Sequence, residues 1–237
     1  MPHRILAYGC SFVYGLNRVQ GFVGRTGIDQ KCESFTEIIA SGLNIPHQNH
    51  ALSGSSNYTI ASKILSNSDI RPTDYVFVGW TGLFRLGKWD VHTQEYVNGE
   101  IEHNFTMTEY MYHTELMIRS VNDYLTSQGC NYNMISSLYD YKQSPRLENI
   151  SDWRHFNWIK PDHPNNSIMD IVTNNWLNPD TSDSMSTSDY HDHNNWHTEH
   201  KAKVSVDKTY PYLSECMHPN QAGHEKIADV IINDLNI

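Results

Sequence analysis

The sequence predicts an α/β fold in which a parallel sheet carries helices on both faces. Short apolar runs of strand length alternate with amphipathic stretches along the first 138 residues, the order of a doubly covered sheet. The runs are apolar at consecutive positions, as suits strands buried on both sides. After a long irregular stretch, the pattern returns in one amphipathic segment that reads as a terminal helix. A chain of 237 residues with 38% hydrophobic content is long enough to bury one large core, so residues 1–237 are expected to form a single domain.

Arg4-Ile5-Leu6-Ala7-Tyr8-Gly9 reads as the first buried strand, delivering Ser11 to its carboxyl edge. Ser34-Phe35-Thr36-Glu37 has capping-box spacing and opens a helix through Ile38, Ile39 and Ala40, with Gly42 as its expected stop. A second strand is expected around residues 45–50. Asn57 is expected to cap a helix with Ile60, Ala61, Ile64 and Leu65 on one face. Asp74 to Trp80 reads as another buried strand. A longer helix after Thr108 carries Met111, Met117, Ile118, Val121, Tyr124 and Leu125, and residues 133–138 form a fourth strand. From about 144 to 208 the pattern gives way to Asn, Asp, Ser, His and Trp, an irregular insertion. Pro219 and Asn220 then start the terminal helix, with Ala222, Ile227, Ala228, Ile231 and Leu235 on one face.

The net charge of −10 and a pI near 5.7 argue against a nucleic-acid surface, which needs clustered Lys and Arg. Small or neutral partners are expected, and no cofactor is signalled. The first residues hold too short an apolar run for a secretory signal, and no run approaches a membrane span, so a soluble, cytoplasmic protein is expected. Cys10, Cys32, Cys130 and Cys216 lack CxxC spacing and read as reduced, mostly buried thiols.

A serine nucleophile needs a base, an acid that orients the base, and donors for the oxyanion. Gly9-Cys10-Ser11-Phe12-Val13-Tyr14-Gly15 follows the first strand, and its glycines permit a tight turn that exposes the hydroxyl. A serine that merely caps a helix has the same local pattern. His218 stands in Glu215-Cys216-Met217-His218-Pro219, directly before the terminal helix, with Glu215 three residues earlier as the group to fix its tautomer. His224 is read as a structural histidine.

These blocks resemble the SGNH (GDSL-like) hydrolases, whose Ser, Gly, Asn and His blocks follow one another in the same order. Gly9-Cys10-Ser11-Phe12 resembles the first block, with Cys10 in place of its aspartate. Asn49-His50-Ala51-Leu52-Ser53-Gly54 resembles the second, which implies that Gly54 donates its N–H beside that of Ser11. Gly79-Trp80-Thr81-Gly82 stands where the third block belongs but lacks its asparagine; Thr81, or Asn57 from a neighbouring loop, is the substitute donor. Glu215-x-x-His218-Pro219 resembles the last block, and Gly223-His224 continues it. The resemblance implies a flavodoxin-like three-layer α/β/α sandwich with a central parallel sheet, and a serine esterase working through Ser11, His218 and Glu215. It implies an acyl ester substrate, with an acetylated glycan favoured by the Trp- and Tyr-rich insertion.

Arg85 and Trp80 are candidate substrate contacts near the sheet's carboxyl edge. Trp153, Trp158, Trp176 and Trp196 either stack on sugar rings or anchor a small core under the insertion. The tract from Asp189 to His200 is rich in metal-ligand types, with His193 and His197 four apart, but matches no established spacing. Two rival readings therefore stand beside the esterase: a catalytically weak SGNH-fold binding or structural module, for example in a viral particle, and a metal-binding protein using the histidine tract.

Overall fold

A computed structural model of the chain describes residues 2–19, 28–82, 87–90, 95–98, 107–137, 158–159, 167–173, 211–214 and 218–235. Strand β1 (Arg4–Gly9) is the apolar run expected, and every residue from Ile5 to Gly9 is buried. It is flanked by β4 (His47–Asn49) and β5 (Asp74–Trp80), and β5 is flanked by β8 (Asn131–Ser136). The sheet is four-stranded, in the order β4-β1-β5-β8, with every pairing parallel. Trp158 and Ser167 add single parallel bridges to Met134 and Ser136 along the outer side of β8. At the amino ends, one edge of the Arg4 guanidinium, Nε and Nη2, donates to the two carboxylate oxygens of buried Asp74, at 2.9 and 2.8 Å. That fork pins the β1–β5 register at the end away from the site.

Two helical layers cover the sheet. Helix α2 (Phe35–Leu43) packs with the last helix, α6 (Gln221–Leu235), and α3 (Asn57–Leu65) packs with α4 (Met107–Gln128). A short α5 (Ile168–Thr173) also packs on α6. The Ser34–Glu37 capping box is complete: the Ser34 hydroxyl accepts the Glu37 N–H, and the Glu37 carboxylate accepts the Ser34 N–H. Three expectations are corrected. Helix α2 runs past Gly42 and stops at Asn44, which adopts the left-handed conformation (φ 53°) that asparagine tolerates. Ser56 caps α3 in place of Asn57, its hydroxyl accepting the Thr59 N–H. On α6, Ala222 is exposed, and Gly223 and His224 take the buried positions of the first turn.

Two antiparallel hairpins interrupt the alternation: β2 (Leu16–Val19) with β3 (Ile28–Lys31), and β6 (Gly87–Asp90) with β7 (Glu95–Asn98). Cys10, Cys32 and Cys130 are buried thiols in no disulfide, and burial pushes the Cys130 thiol up to about 11, leaving it protonated and inert. Trp158 is buried in the core, which settles the alternative for that tryptophan in favour of an anchor. Trp153, Trp176, Trp196 and Cys216 lie outside the described residues, as does most of the 144–208 stretch. No described helix is long and apolar enough to cross a membrane.

Directly after β1 comes α1 (Ser11–Tyr14), a single turn ended by Gly15 in the left-handed conformation (φ 83°). Its Val13 enters a socket made by two paired strand residues, Gly9 and Gly79. A Cβ on Gly9 would lie 2.4 Å from Val13 Cγ2, and one on Gly79 2.2 Å. No other residue type at either position leaves α1 where it is. Gly79→Ala is expected to destabilise the fold by about 1–3 kcal/mol through overpacking, and Val13→Ala to recover part of that loss in the double variant; denaturant unfolding of the three variants measures both.

His224 is fully buried, stacked on Phe35, with its Nδ1 accepting the Phe35 N–H at 3.3 Å. Its Nε2 is buried with no partner among the described residues. Burial, and secondarily His218, pushes its pKa down to about 4. The unfolded chain takes up this proton as pH falls through the ordinary histidine range, and the folded chain does not until about 4. The contribution is therefore present in full above about pH 6.5 and is lost on acidification towards pH 4, a total of about 3 kcal/mol. Urea unfolding between pH 7 and 4 is expected to show this loss, and His224→Gln, which keeps an acceptor for Phe35 and does not titrate, to remove that share of it.

Candidate active site

Parallel strands place their following loops together at one edge, and here β1 and β5 bring Ser11 and Thr81 to that edge side by side. The chain leaves β1 for β4 on one side and crosses back to β5 on the other, so this is the point at which the strand order reverses. Ser11 is the first residue of α1 and is nearly buried. Its hydroxyl meets Nε2 of His218 at 2.7 Å across 207 residues of sequence. With Nε2 accepting, the imidazole is the tautomer protonated at Nδ1, the form in which histidine acts as a base towards serine.

The backbone of His218 is fixed from behind. Its carbonyl accepts both the Ser214 N–H, at 2.8 Å, and the Ser214 hydroxyl, at 2.9 Å. Asn220 donates its side-chain N–H to the Pro211 and Leu213 carbonyls and accepts the Gly223 N–H, so it ties this segment to 211–213 and caps α6 in one step. In front, the ring of Phe12 lies against the imidazole, centroids 4.8 Å apart and planes tilted by 34°. Phe12 stands in the Ser11 motif, and its adjacency to Ser11 was the one sequence signal for this contact.

The second block is assembled as a loop alongside. The His50 N–H donates to Ala7 and the Leu52 N–H to Gly9, so the β1 ladder continues beyond β4 and carries the chain to Gly54 (φ 80°) at the Ser11 edge. Asn49 accepts the Ala51 N–H and donates to the Val13 carbonyl at 3.2 Å, fastening α1 to this loop.

At the end of β5 the expected donors are rearranged. Asn57 is fully buried; its side-chain carbonyl accepts the Thr81 N–H at 3.0 Å, and its amide nitrogen donates to the Gly82 carbonyl at 3.4 Å. Both ends of the amide thus brace the turn after β5, and the alternative role of oxyanion donor is corrected to that of a clip. Thr81 is also fully buried, and its hydroxyl has no hydrogen-bond partner among the described residues. Trp80, read as a substrate contact, is corrected as well: it shares the sheet face of Val76 and Val78, is fully buried, and offers a ligand no surface. Cys10, at the position of the family's aspartate, is buried with its thiol 3.5 Å from the Ser137 hydroxyl, which links the ends of β1 and β8. Glu215, Arg85, His193 and His197 lie outside the described residues.

No protein-family model matches the chain, and no curated protein matches its sequence. Solved structures do. A catalytic mutant of an acetylxylan esterase from Geobacillus stearothermophilus superposes with a TM-score of 0.51 at 13% identity, over 99% of this chain and 94% of that one. A lipolytic protein of the G-D-S-L family from Desulfitobacterium hafniense DCB-2 is similar at 12% identity and TM-score 0.48, over 96% and 99% of the two chains. A lipase/acylhydrolase from Enterococcus faecalis is similar at 11% and 0.48, over 99% and 95%. The chain has the SGNH hydrolase fold, the three-layer architecture that its sequence blocks imply.

Removing the Asn57 clip strands a buried backbone N–H and carbonyl. Asn57→Ala is expected to cost about 1–3 kcal/mol in denaturant unfolding, the range for leaving a buried polar group unpaired; a change within a few tenths of a kcal/mol would contradict the clip.

Proposed function

We propose that the protein is a serine esterase that hydrolyses an acyl ester through an acyl-enzyme. The observation that carries this reading is the 2.7 Å contact between Ser11 Oγ and His218 Nε2 at the carboxyl edge of the sheet, where the two strands nearest the reversal of order meet. His218 takes the Ser11 proton as the hydroxyl oxygen attacks the ester carbonyl, and returns it to the departing alcohol. Water, deprotonated by the same imidazole, then attacks the acyl carbon and releases the acid and free Ser11. Glu215 fixes the imidazole tautomer. Backbone N–H groups of Ser11 and Gly54 hold the oxyanion, and the hydroxyl of Thr81 supplies the third donor in place of the family's asparagine.

An acetyl ester on a carbohydrate is the substrate this reading favours. The support is the likeness to an acetylxylan esterase together with Trp153, Trp176 and Trp196 of the insertion, a residue type that suits stacking on sugar rings. Arg85 is assigned to contact the substrate beside the third block. The rival of a catalytically weak module draws on one observation: the Thr81 hydroxyl is itself buried, in a residue that is fully buried.

Hydrolysis of p-nitrophenyl acetate, with covalent labelling by an active-site phosphonate, tests the proposal. The unaltered protein is expected to turn over ester and be labelled, and Ser11→Ala and His218→Ala to lose about 10³-fold or more in kcat. Thr81→Val, which removes an orphaned hydroxyl at constant shape, is expected to leave stability unchanged or raised while lowering kcat by about 10²–10³-fold. Folded protein that neither hydrolyses nor labels would favour the non-catalytic module.

A further inference from the structure

Both ladders of β5 end just before Thr81. On the β1 side the last pair is Gly9 with Gly79, and on the β8 side the Trp80 carbonyl accepts the Ser137 N–H at 2.7 Å. Thr81 is therefore the first residue beyond the hold of the sheet. Its N–H is taken up by Asn57 Oδ1 at 3.0 Å, while Asn57 Nδ2 donates to the Gly82 carbonyl at 3.4 Å. A flipped amide would set N–H against N–H and oxygen against oxygen, so both contacts together force one orientation of the side chain.

Asn57 is in turn tied to the loop that carries Gly54. Leu52 to Ser55 form a closed turn, with the Ser55 N–H donating to the Leu52 carbonyl at 3.2 Å and Gly54 inside it. Ser56 follows as the cap of α3, and Asn57 is the first residue of that helix. Ser55, Ser56 and Asn57 are all buried, so the path from Gly54 to the Asn57 amide is short and closely packed.

We infer that Asn57 is a positioning residue for the oxyanion site, whose amide sets where the Thr81 hydroxyl stands relative to Gly54. The inference rests on the esterase reading, in which Gly54 and Thr81 are donors. A threonine has one stiff torsion between backbone and hydroxyl, so the oxygen goes where the backbone goes. The Thr81 hydroxyl has no hydrogen-bond partner among the described residues, and its placement arrives through the N–H that Asn57 holds. Gly54 and Thr81 approach the site on separate stretches of chain, and the Asn57 side chain is the bridge between those stretches. Asn57 acts through Thr81 and not on the substrate, because backbone groups occupy both ends of its amide.

The test is a double-variant cycle. Asn57→Ala, and Asn57→Leu, which fills a similar volume but makes no hydrogen bond, are each made in the unaltered protein and in Thr81→Val. The substrate is p-nitrophenyl acetate, with thermal melting as the check on folding. In the unaltered background, kcat is expected to fall on the order of 10- to 100-fold, the scale of a small misplacement of a catalytic group. KM is expected to stay unchanged, and the loss not to exceed that of Thr81→Val. In Thr81→Val the same substitutions are expected to lower the melting temperature as before yet leave kcat at the Thr81→Val level, since the group through which Asn57 acts is gone. An equal factor lost from kcat in both backgrounds, or an unchanged kcat in the unaltered background, would overturn the inference. The Thr81 methyl signal in threonine-labelled protein, assigned by its loss in Thr81→Val, gives a reading without turnover. It is expected to be displaced or doubled in both Asn57 variants. An unmoved signal would overturn the inference, whereas an inactive protein whose Thr81 signal depends on Asn57 would sink only the esterase reading.

Discussion

Two facing glycines and one valine determine where Ser11 stands. At Gly9 and Gly79 the neighbouring strands β1 and β5 present no side chain, and Val13 fills the space so closely that neither strand has room for a methyl group. A helix of a single turn has almost no stability of its own. Its position is inherited from this socket, and with it the position of Ser11. The constraint acts through close packing, which transmits displacement with little slack. Ser11 therefore has the precision of the sheet although it stands on a loop-sized element.

Asparagine side chains do at the carboxyl edge what backbone ladders do inside the sheet. Asn49 joins the second-block loop to the Val13 carbonyl, Asn57 grips the backbone on either side of the Thr81–Gly82 bond, and Asn220 binds the His218 segment to 211–213. A primary amide presents a donor and an acceptor at nearly the spacing of a peptide group, so it can complete a chain end that no strand reaches. These brackets lie around the site, on three of the described loops that approach it. Opposite them, Arg4 and Asp74 close the amino ends with charge, where no loop has to be shaped.

Much of this was legible along the chain. The buried runs of β1 and β5 needed only their apolar content, the α2 start only its Ser-x-x-Glu spacing, and Ser11 and His218 only the short blocks around them, because each signal is local. The exceptions share a cause. Asn57 reads as a cap because capping is its commonest local use, and its real partners lie 24 and 25 residues away. Trp80 reads as a substrate contact because it stands at the end of β5, but both faces of that strand are covered and it is fully buried. The hairpins β2–β3 and β6–β7 leave little trace, since strands of four residues such as Ile28-Asp29-Gln30-Lys31 show too few alternations to stand out. His224 was legible as structural, though its unpartnered nitrogen was not.

The Ser11–His218 contact spans 207 residues, and that separation has a meaning for biosynthesis. A ribosome produces the serine early and the imidazole only after every described strand of the sheet has been made. Until α6 docks on α2, and Phe35 finds His224, the Ser11 hydroxyl lacks its His218 partner. The pair that defines the candidate site is thus absent through the period in which the chain is unfolded and crowded among other polypeptides. It forms only when the topology has been completed.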